Sequence, residues 1–139
     1  MALNVLVVDD SAVARAMIVK TLGLSGLPLG QVHHAGDGQE GLAVLETNWI
    51  DLALVDINMP VMNGEEMIER VRGNPAWADL AIIVVSTEGS QTRIERLQQH
   101  GARFVHKPFT PEAVREIVQQ MTGLSDEQPE QQPADAKSF

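Results

Sequence analysis

The clearest structural signal in the chain is the segment IDLALVDINMP, residues 50–60. Residues 52–55 form an uninterrupted apolar run, which is typical of a strand buried on both faces of a sheet. The run ends at Asp56, and the Asn-Met-Pro segment just beyond it indicates a turn. Asp56 is therefore expected at the carboxyl end of a strand, the edge at which open parallel sheets collect ligands and reactive groups. Capping of the turn by Asp56 is an equally simple interpretation when this segment is considered alone.

Apolar strands of this kind alternate with amphipathic helices along most of the chain. The sequence predicts five strands, at Leu3–Val8, Gln31–Ala35, Leu52–Val55, Ala81–Val85 and Arg103–His106. Between and after them, apolar residues recur at helical spacing, as at Val114, Val118 and Met121 of the last predicted helix. This alternation predicts an α/β fold in which helices cover both faces of a doubly wound, five-stranded parallel sheet.

The composition limits the class of protein. The chain has 139 residues, which suits one domain with its own core, and it has no cysteine, which excludes disulfides and thiolate metal sites. Its apolar runs are too short to span a bilayer and no secretory leader is evident, so a cytoplasmic protein is expected. The formal net charge of -9 argues against nucleic acid and anionic membrane surfaces as partners.

Polar or charged residues follow four of the five predicted strands. Asp9 and Asp10 follow the first strand, and Asp56 follows the third. Ser86 follows the fourth strand and Lys107 the fifth. Because the carboxyl ends of parallel strands share one edge of the sheet, these side chains are expected to converge. Helix capping is the alternative for each of them taken singly, and one aspartate would suffice as a cap after the first strand.

Such a cluster has the chemistry of a phosphoryl-transfer site. Three carboxylates and a backbone carbonyl beyond Asp56 form a hard oxygen site that suits Mg²⁺. Lys107 and the hydroxyl of Ser86 can bind and neutralise the oxygens of a phosphoryl group. The sequence contains neither an evident serine-histidine pair nor a glycine-rich phosphate loop. A carboxylate is therefore the expected nucleophile, and Asp56 is the candidate.

Four motifs, in this order, resemble the receiver domain of two-component response regulators. They are Val8-Asp9-Asp10-Ser11, residues 55–64 (VDINMPVMNG), Val85-Ser86-Thr87-Glu88 and residues 105–109 (VHKPF). The resemblance covers the chain from Leu3 to about Met121. It implies the flavodoxin-like fold, with parallel strands in the spatial order 2-1-3-4-5.

The resemblance implies a phosphoacceptor and its metal ligands. Asp56 is expected to accept a phosphoryl group from a sensor histidine kinase or from a histidine phosphotransfer protein of a phosphorelay. Asp10, Asp56 and the backbone carbonyl of Asn58 are expected to bind Mg²⁺, with Asp9 supporting the ion through a water molecule. The protein would then be a signalling phosphoprotein, not an enzyme, that assists its own phosphorylation and dephosphorylation.

The resemblance also implies a switch. Lys107 and Ser86 occupy the positions that bind the phosphoryl oxygens, and the Lys107-Pro108 bond is often cis in this family. Ser86 is expected to move toward the phosphoryl group, and Phe104 matches an aromatic residue that rotates into the vacated space. Core packing is the alternative for Phe104. The altered surface would be the face of the fourth helix, fifth strand and fifth helix, where a downstream protein binds.

Four further residues bear on the rates expected of such a domain. Asn58 and Glu88 occupy the two positions that tune the phosphate lifetime, and they match the fast-resetting chemotaxis regulators. A short-lived phosphoryl state is therefore expected. Thr87 stands where alanine is frequent in the family, which would narrow access to the phosphoacceptor, and His106 is an unusual residue before the lysine.

Two domain-level expectations and two alternative functions complete the sequence analysis. Residues 1–123 are expected to form the receiver domain and residues 124–139 a disordered acidic tail, which leaves no residues for an output domain. A stand-alone regulator or an excised receiver is therefore expected. A phosphatase of the haloacid dehalogenase type is one alternative, although Asn58 stands where that class has a second aspartate. A pseudo-receiver that binds partners without phosphorylation is the other.

Overall fold

Five parallel strands form one sheet in the order β2-β1-β3-β4-β5, which confirms the predicted fold and strand order. The computed structural model describes residues 2–87, 89–107 and 110–123. A 3₁₀ turn, Pro75–Trp77, precedes β4. The strands and helices in chain order are β1 Leu3–Val8, α1 Ala12–Leu24, β2 Leu29–Ala35, α2 Gly38–Thr47, β3 Leu52–Val55, α3 Gly64–Arg72, β4 Ala81–Ser86, α4 Gln91–Gln99, β5 Arg103–His106 and α5 Pro111–Thr122.

Successive residues of each strand contribute to two separate cores, because side chains alternate between the faces of a sheet. Leu6 and Val8 of β1 belong to the core that also contains buried residues of α2, α3 and α4. Val5 and Val7 belong to the core that contains buried residues of α1 and α5. All four residues of β3 are buried. The two-sided burial explains why β3, the central strand, is apolar at every position.

Each helix that follows a site strand begins at a polar cap. The Ser11 hydroxyl accepts a hydrogen bond from the backbone of α1, and the Asn63 side chain does the same for α3. Ser90 caps α4 and Thr110 caps α5. The cap of α1 is thus Ser11 and neither aspartate, so the Asp10 carboxylate has no capping role.

Two strand boundaries differ from the prediction. β2 begins at Leu29 and not at Gln31, because Leu29 pairs with Leu3 of β1 and the Leu3 N–H donates to the Pro28 carbonyl at 2.7 Å. The glycines and the proline of this segment favour a loop, and pairing with β1 overrides that local preference. β4 extends one residue further than predicted, to Ser86.

Some of the predictions concern parts of the chain that the structure does not describe. Glu88, the Lys107-Pro108 bond and the predicted tail at residues 124–139 lie outside the described residues. Within the part of the chain that is described, no helix is long and apolar enough to cross a bilayer.

Candidate functional site

Three carboxylates meet where β1 and β3 end. These strands are neighbours, and the register pairs Val8 with Val55, so Asp9 and Asp56 follow their strands at the same level. The Asp56 N–H donates to the Val8 carbonyl at 2.9 Å, which fixes that level. One carboxylate oxygen from each of Asp9, Asp10 and Asp56 lies within 4.8 Å of the others. Asp9 is buried, Asp56 is partly buried and Asp10 is exposed.

The three carboxylates have the donor chemistry of a magnesium site. Like charges this close repel one another, and a divalent cation with oxygen ligands removes that repulsion. The exposed Asp10 and the partly buried Asp56 leave one side of the cluster open to a phosphate oxygen. Asn58, whose carbonyl is a predicted ligand, is an exposed residue two positions beyond Asp56. The residues present therefore fit Mg²⁺, and the assignment of individual ligands stays a prediction.

Lys107 joins β5 to the acidic cluster across the sheet. Its Nζ lies 3.2 Å from Asp9 Oδ2 and 3.8 Å from Asp56 Oδ1. Asp9 is further held by the Ser11 N–H, which donates to Oδ1 at 2.9 Å. The lysine is thus where the sequence analysis expects it, although its shorter contact is with Asp9. Asp56 Oδ1 has a cation nearby that can attract phosphoryl oxygens.

Ser86 lies at the same edge of the sheet, at the end of β4. Val84 pairs with Val55, so Ser86 extends β4 to the level of the residues just beyond β3. The Ser86 carbonyl accepts a hydrogen bond from the Lys107 N–H at 2.9 Å, and the residue is 1% exposed. Its backbone therefore positions the lysine. The role of its hydroxyl stays a prediction.

Burial and charge act in opposite directions on the Asp56 carboxyl. Burial is the largest influence and raises the pKa of Asp56 above its ordinary value, whereas the Lys107 ammonium lowers it. The Asp9 carboxylate raises the pKa further, the Ile57 N–H lowers it, and Asp10 makes the smallest contribution, an upward one. The net shift is upward. A divalent cation or added positive charge would favour the ionised form that a nucleophile requires.

Phe104 and His106 form an edge-to-face pair on β5. The two ring centroids are 4.7 Å apart and the ring planes meet at 79°. Phe104 is partly buried and packs against the core that contains α2, α3 and α4. Its packing agrees with the simpler interpretation of this residue, and rotation on phosphorylation stays a prediction. His106 is exposed, and its ring rests against the residue that is predicted to rotate.

Sequence analysis missed Arg15 and Glu65. Arg15 Nη1 donates a hydrogen bond to the backbone carbonyl of Asp9, and Arg15 Nε donates one to His34 Nδ1 at 3.3 Å. Arg15 thus supports the loop that carries two of the carboxylates. Its position, one turn after the Ser11 cap on a helix that starts at the site, is the only sequence signal for this contact. Glu65 forms ion pairs with two arginines of α4, Arg93 and Arg96.

A model of the family "Response regulator receiver domain" matches residues 5–119. The chain belongs to this family. Chemotaxis protein CheY1 of Helicobacter pylori is 33% identical over 126 residues, which cover 89% of this chain and 100% of the relative. The solved chemotaxis response regulator CheY4 of Vibrio cholerae is 34% identical, with a TM-score of 0.75 over 87% of this chain and 99% of that one. The chain is therefore a receiver domain of two-component signalling that is similar to chemotaxis regulators.

Family membership gives the acidic cluster a context. Receiver domains bind Mg²⁺ at an acidic pocket, and in this chain Asp9, Asp10 and Asp56 form such a pocket. Chemotaxis-type receivers interact with histidine kinases and with downstream targets. A probable chemotaxis protein CheY of Rhizobium etli is a further relative, 32% identical over 122 residues, which cover 87% of this chain and 93% of the relative.

Proposed function

We propose that this receiver domain accepts a phosphoryl group on Asp56 in an Mg²⁺-dependent reaction and thereby switches a protein-binding surface. The donor is a phosphohistidine of a sensor histidine kinase or of a histidine phosphotransfer protein. The observation that supports the proposal is the convergence of three carboxylates and Lys107 at one edge of the sheet. These groups come from β1, β3 and β5, and helix capping alone does not account for their convergence.

The proposed reaction is a displacement at phosphorus. A carboxylate oxygen of Asp56 forms a bond to the phosphorus atom while the P–N bond of the phosphohistidine breaks, and the imidazole leaves with the electron pair. Resetting follows when a water oxygen bonds to the phosphorus and the P–O bond to Asp56 breaks. This second step restores the carboxylate and releases inorganic phosphate. The chain promotes both the gain and the loss of its own phosphoryl group. It is therefore proposed to be a signalling phosphoprotein, not an enzyme with a separate substrate.

The residues around Asp56 have distinct proposed roles. Lys107, which lies 3.8 Å from Asp56 Oδ1, neutralises charge on the phosphoryl oxygens, and Ser86 donates its hydroxyl to one of them. Asp9, Asp10, Asp56 and the Asn58 carbonyl would hold Mg²⁺, with Asp9 acting through water. When bound, the ion supplies positive charge to the phosphoryl oxygens and offsets the repulsion among the carboxylates.

The proposed output is a change on the face formed by α4, β5 and α5. Attraction of the Ser86 hydroxyl to the phosphoryl group shifts the end of β4, and Phe104 adjusts beside it. This face then binds a downstream protein in the cytoplasm, and the similarity to chemotaxis proteins makes a chemotaxis target the first choice. Asn58 and Glu88 are proposed to keep the phosphoryl state short-lived, as in the regulators they match.

Intact-mass measurement tests the proposal directly. The chain is incubated with a small acyl phosphate in the presence of Mg²⁺, with excess EDTA as the metal-free arm. Wild type is expected to gain one labile phosphoryl group, and Asp56→Asn none. Asp79→Asn is the matched control: it makes the same substitution at an exposed aspartate outside the site and is expected to behave as wild type.

Three outcomes contradict the proposal. No gain from any small donor or phosphorylated kinase indicates a binding module that works without phosphorylation. Steady release of phosphate from added esters indicates a phosphatase. A half-life of many hours for the purified phosphoprotein contradicts the proposed tuning by Asn58 and Glu88.

A pull-down with beryllium-fluoride-treated and untreated protein then identifies the partner of the modified form.

A further inference from the structure

An ion-pair cluster away from the acidic pocket joins α3 to α4. Arg96 Nε donates to Glu65 Oε2 at 2.8 Å, and Arg96 Nη2 donates to Glu65 Oε1 at 3.4 Å. Arg93 Nε lies 3.4 Å from Glu65 Oε1. The Glu65 side chain is only 16% exposed, whereas the Arg96 side chain is 52% exposed, so the carboxylate is partly shielded from solvent and the Arg96 guanidinium is not. We call Glu65, Arg93 and Arg96 the α4 clamp.

The charge state of Glu65 agrees with a formed clamp. The hydrogen bond from Arg96 is the largest influence and lowers the pKa of Glu65, while partial burial opposes it. The charges of both arginines lower the pKa further. Glu65 is therefore ionised throughout the neutral range, and it forms one short and one long hydrogen bond to the Arg96 guanidinium.

The α3 end of the clamp is fixed to the backbone around Asp56. The Gly64 N–H donates to the Ile57 carbonyl at 2.8 Å. The backbones are so close that a Cβ added at Gly64 would lie 2.2 Å from the Asp56 carbonyl oxygen. The backbone of Glu65, the next residue, is therefore held close to the backbone that follows Asp56.

The α4 end of the clamp is held by fewer buried contacts. Among the nine residues of α4, Ile94 and Leu97 are buried. The helix begins after its Ser90 cap, four positions beyond Ser86, so movement at the end of β4 is passed to α4 over a short connection. Displacement of α4 relative to Glu65 lengthens hydrogen bonds that weaken steeply with distance.

We propose that the α4 clamp holds α4 in the arrangement of the unmodified protein, and that Glu65 is a positioning residue that opposes the switch. The inference rests on the proposed phosphorylation of Asp56. A contact that is formed in one arrangement and weakened in another shifts the population toward the first. Loss of the clamp therefore increases the fraction of molecules in which α4 and the end of β4 can move, and phosphorylation becomes faster.

Hydrogen exchange on the full, unmodified chain tests the holding role without any phosphorylation. The variants are Glu65→Gln, Arg96→Gln and the double variant, with Glu46→Gln, at an exposed position of α2, as the matched loss of charge. Amides of residues 91–99 are expected to exchange at least about fivefold faster in Glu65→Gln, which loses both arginine contacts, and no faster in the double variant than in Glu65→Gln. Exchange in α4 that equals wild type in Glu65→Gln would overturn the clamp.

The rate of phosphoryl gain from a small acyl phosphate with Mg²⁺ tests the switching role. Glu65→Gln and Arg96→Gln are expected to react at least about threefold faster than wild type. Arg96→Lys keeps the charge but loses the two-pronged contact, so its reaction rate is expected to lie between those of wild type and Arg96→Gln. Equal or slower reaction of the clamp variants overturns the inference alone. Absence of reaction in every protein, wild type included, overturns the proposed function and the switching role together.

Discussion

Helices α3 and α4 are equally long, at nine residues each, and each follows a strand that ends at the candidate site. Their attachment to the rest of the protein differs. α3 buries four residues, among them Met67, Ile68 and Val71, whereas α4 buries two, Ile94 and Leu97. α3 also begins with a complete capping box, in which Asn63 and Glu66 bind each other's backbone.

The difference separates two tasks within one site. A metal pocket made of like charges needs carboxylates that cannot move apart, and the α3 side provides this because its first turn rests on the Asp56 backbone. The proposed switch needs an element whose displacement costs little free energy, and α4, which buries fewer residues than α3, is the better candidate of the two helices. The α4 clamp connects the two parts, and polar contacts are suited to this because they can be broken without exposing a large apolar surface.

The largest expected effect comes from adding one methyl group at Gly64, the first residue of α3. Gly64→Ala places a Cβ against the Asp56 carbonyl and the Ile57 Cα, at 2.2 Å and 3.0 Å from those atoms. Backbone atoms cannot move aside as a flexible side chain can, so a loss of at least about 3 kcal/mol in the free energy of unfolding is expected. Urea denaturation measures it.

The same substitution before α4 is the control. A Cβ at Gly89 meets no atom within 4 Å, and Gly89→Ala is expected to change stability by less than about 0.5 kcal/mol. Equal stabilities for the two alanine variants would show that α3 is no more firmly seated on its strand than α4.

Magnesium is expected to stabilise the acidic side of the site selectively. A ligand that binds only the folded state at tenfold above its Kd adds about 1.4 kcal/mol. Thermal unfolding with Mg²⁺ and with EDTA measures the effect, and Asp10→Asn should abolish most of it. Hydrogen exchange should slow around Asp56 and α3 much more than in α4. Equal slowing of exchange in α3 and α4 would contradict the proposed division of the site into a metal-binding side at α3 and a switching side at α4.

The residues at the ends of the strands could be predicted from the sequence because the signal is local. An apolar run that stops at a charged residue places that residue at the sheet edge, whichever residues surround it. Asp9 and Asp56 are predicted in this way, whereas Lys107 follows a strand of mixed polarity, Arg103–His106, and its place at the edge is predicted from the alternation of strands and helices. The distances among them are not local, and the shorter contact of Lys107 with Asp9 than with Asp56 depends on how far β5 is displaced from β1.

The clamp and the start of β2 could not be predicted for a related reason. The position of Glu65 in the first turn of α3 is explained by the helix dipole alone, so nothing in the sequence calls for a partner. That partner, Arg96, is 31 positions away on a helix whose angle to α3 is set by packing. Leu29 belongs to β2 because it pairs with Leu3, a contact that outweighs its flanking glycine and proline.

The caps of the two helices offer a smaller test of the same contrast. Asn63→Ala removes the side-chain half of the capping box, the 2.9 Å hydrogen bond that the Glu66 N–H donates to Asn63 Oδ1, and is expected to cost about 1–2 kcal/mol. Ser90→Ala removes the hydrogen bond that the Arg93 N–H donates to the Ser90 hydroxyl, which is 3.3 Å long, and is expected to cost about 0.5 kcal/mol. The urea midpoints of the two variants check this order. A costlier loss at Ser90 would mean that α4 depends on its cap more than α3 does.

The smallest expected effect concerns the charge of Asp56 itself. Its pKa is raised in the folded protein above the ordinary value of 3.8, mainly by burial, so the native state binds more protons than the unfolded state in the intervening range. Stability from this group is therefore fully present below about pH 3.8 and is lost as the pH rises through the folded pKa. The ionised carboxylate is thus a destabilising group at neutral pH when no metal is present.

Asp56→Asn should consequently be more stable than wild type at pH 7 in EDTA, by less than about 1 kcal/mol, and the gain should shrink toward pH 4. Urea midpoints of both proteins across this range measure it. Lys107→Met sharpens the test, because the lysine lowers the pKa of Asp56 and its removal should move the loss of stability to higher pH. A gap between wild type and Asp56→Asn that does not change with pH would show that burial imposes no charge penalty on the phosphoacceptor. The close packing around Asp56 would then not lower the free energy of unfolding through the charge of this residue.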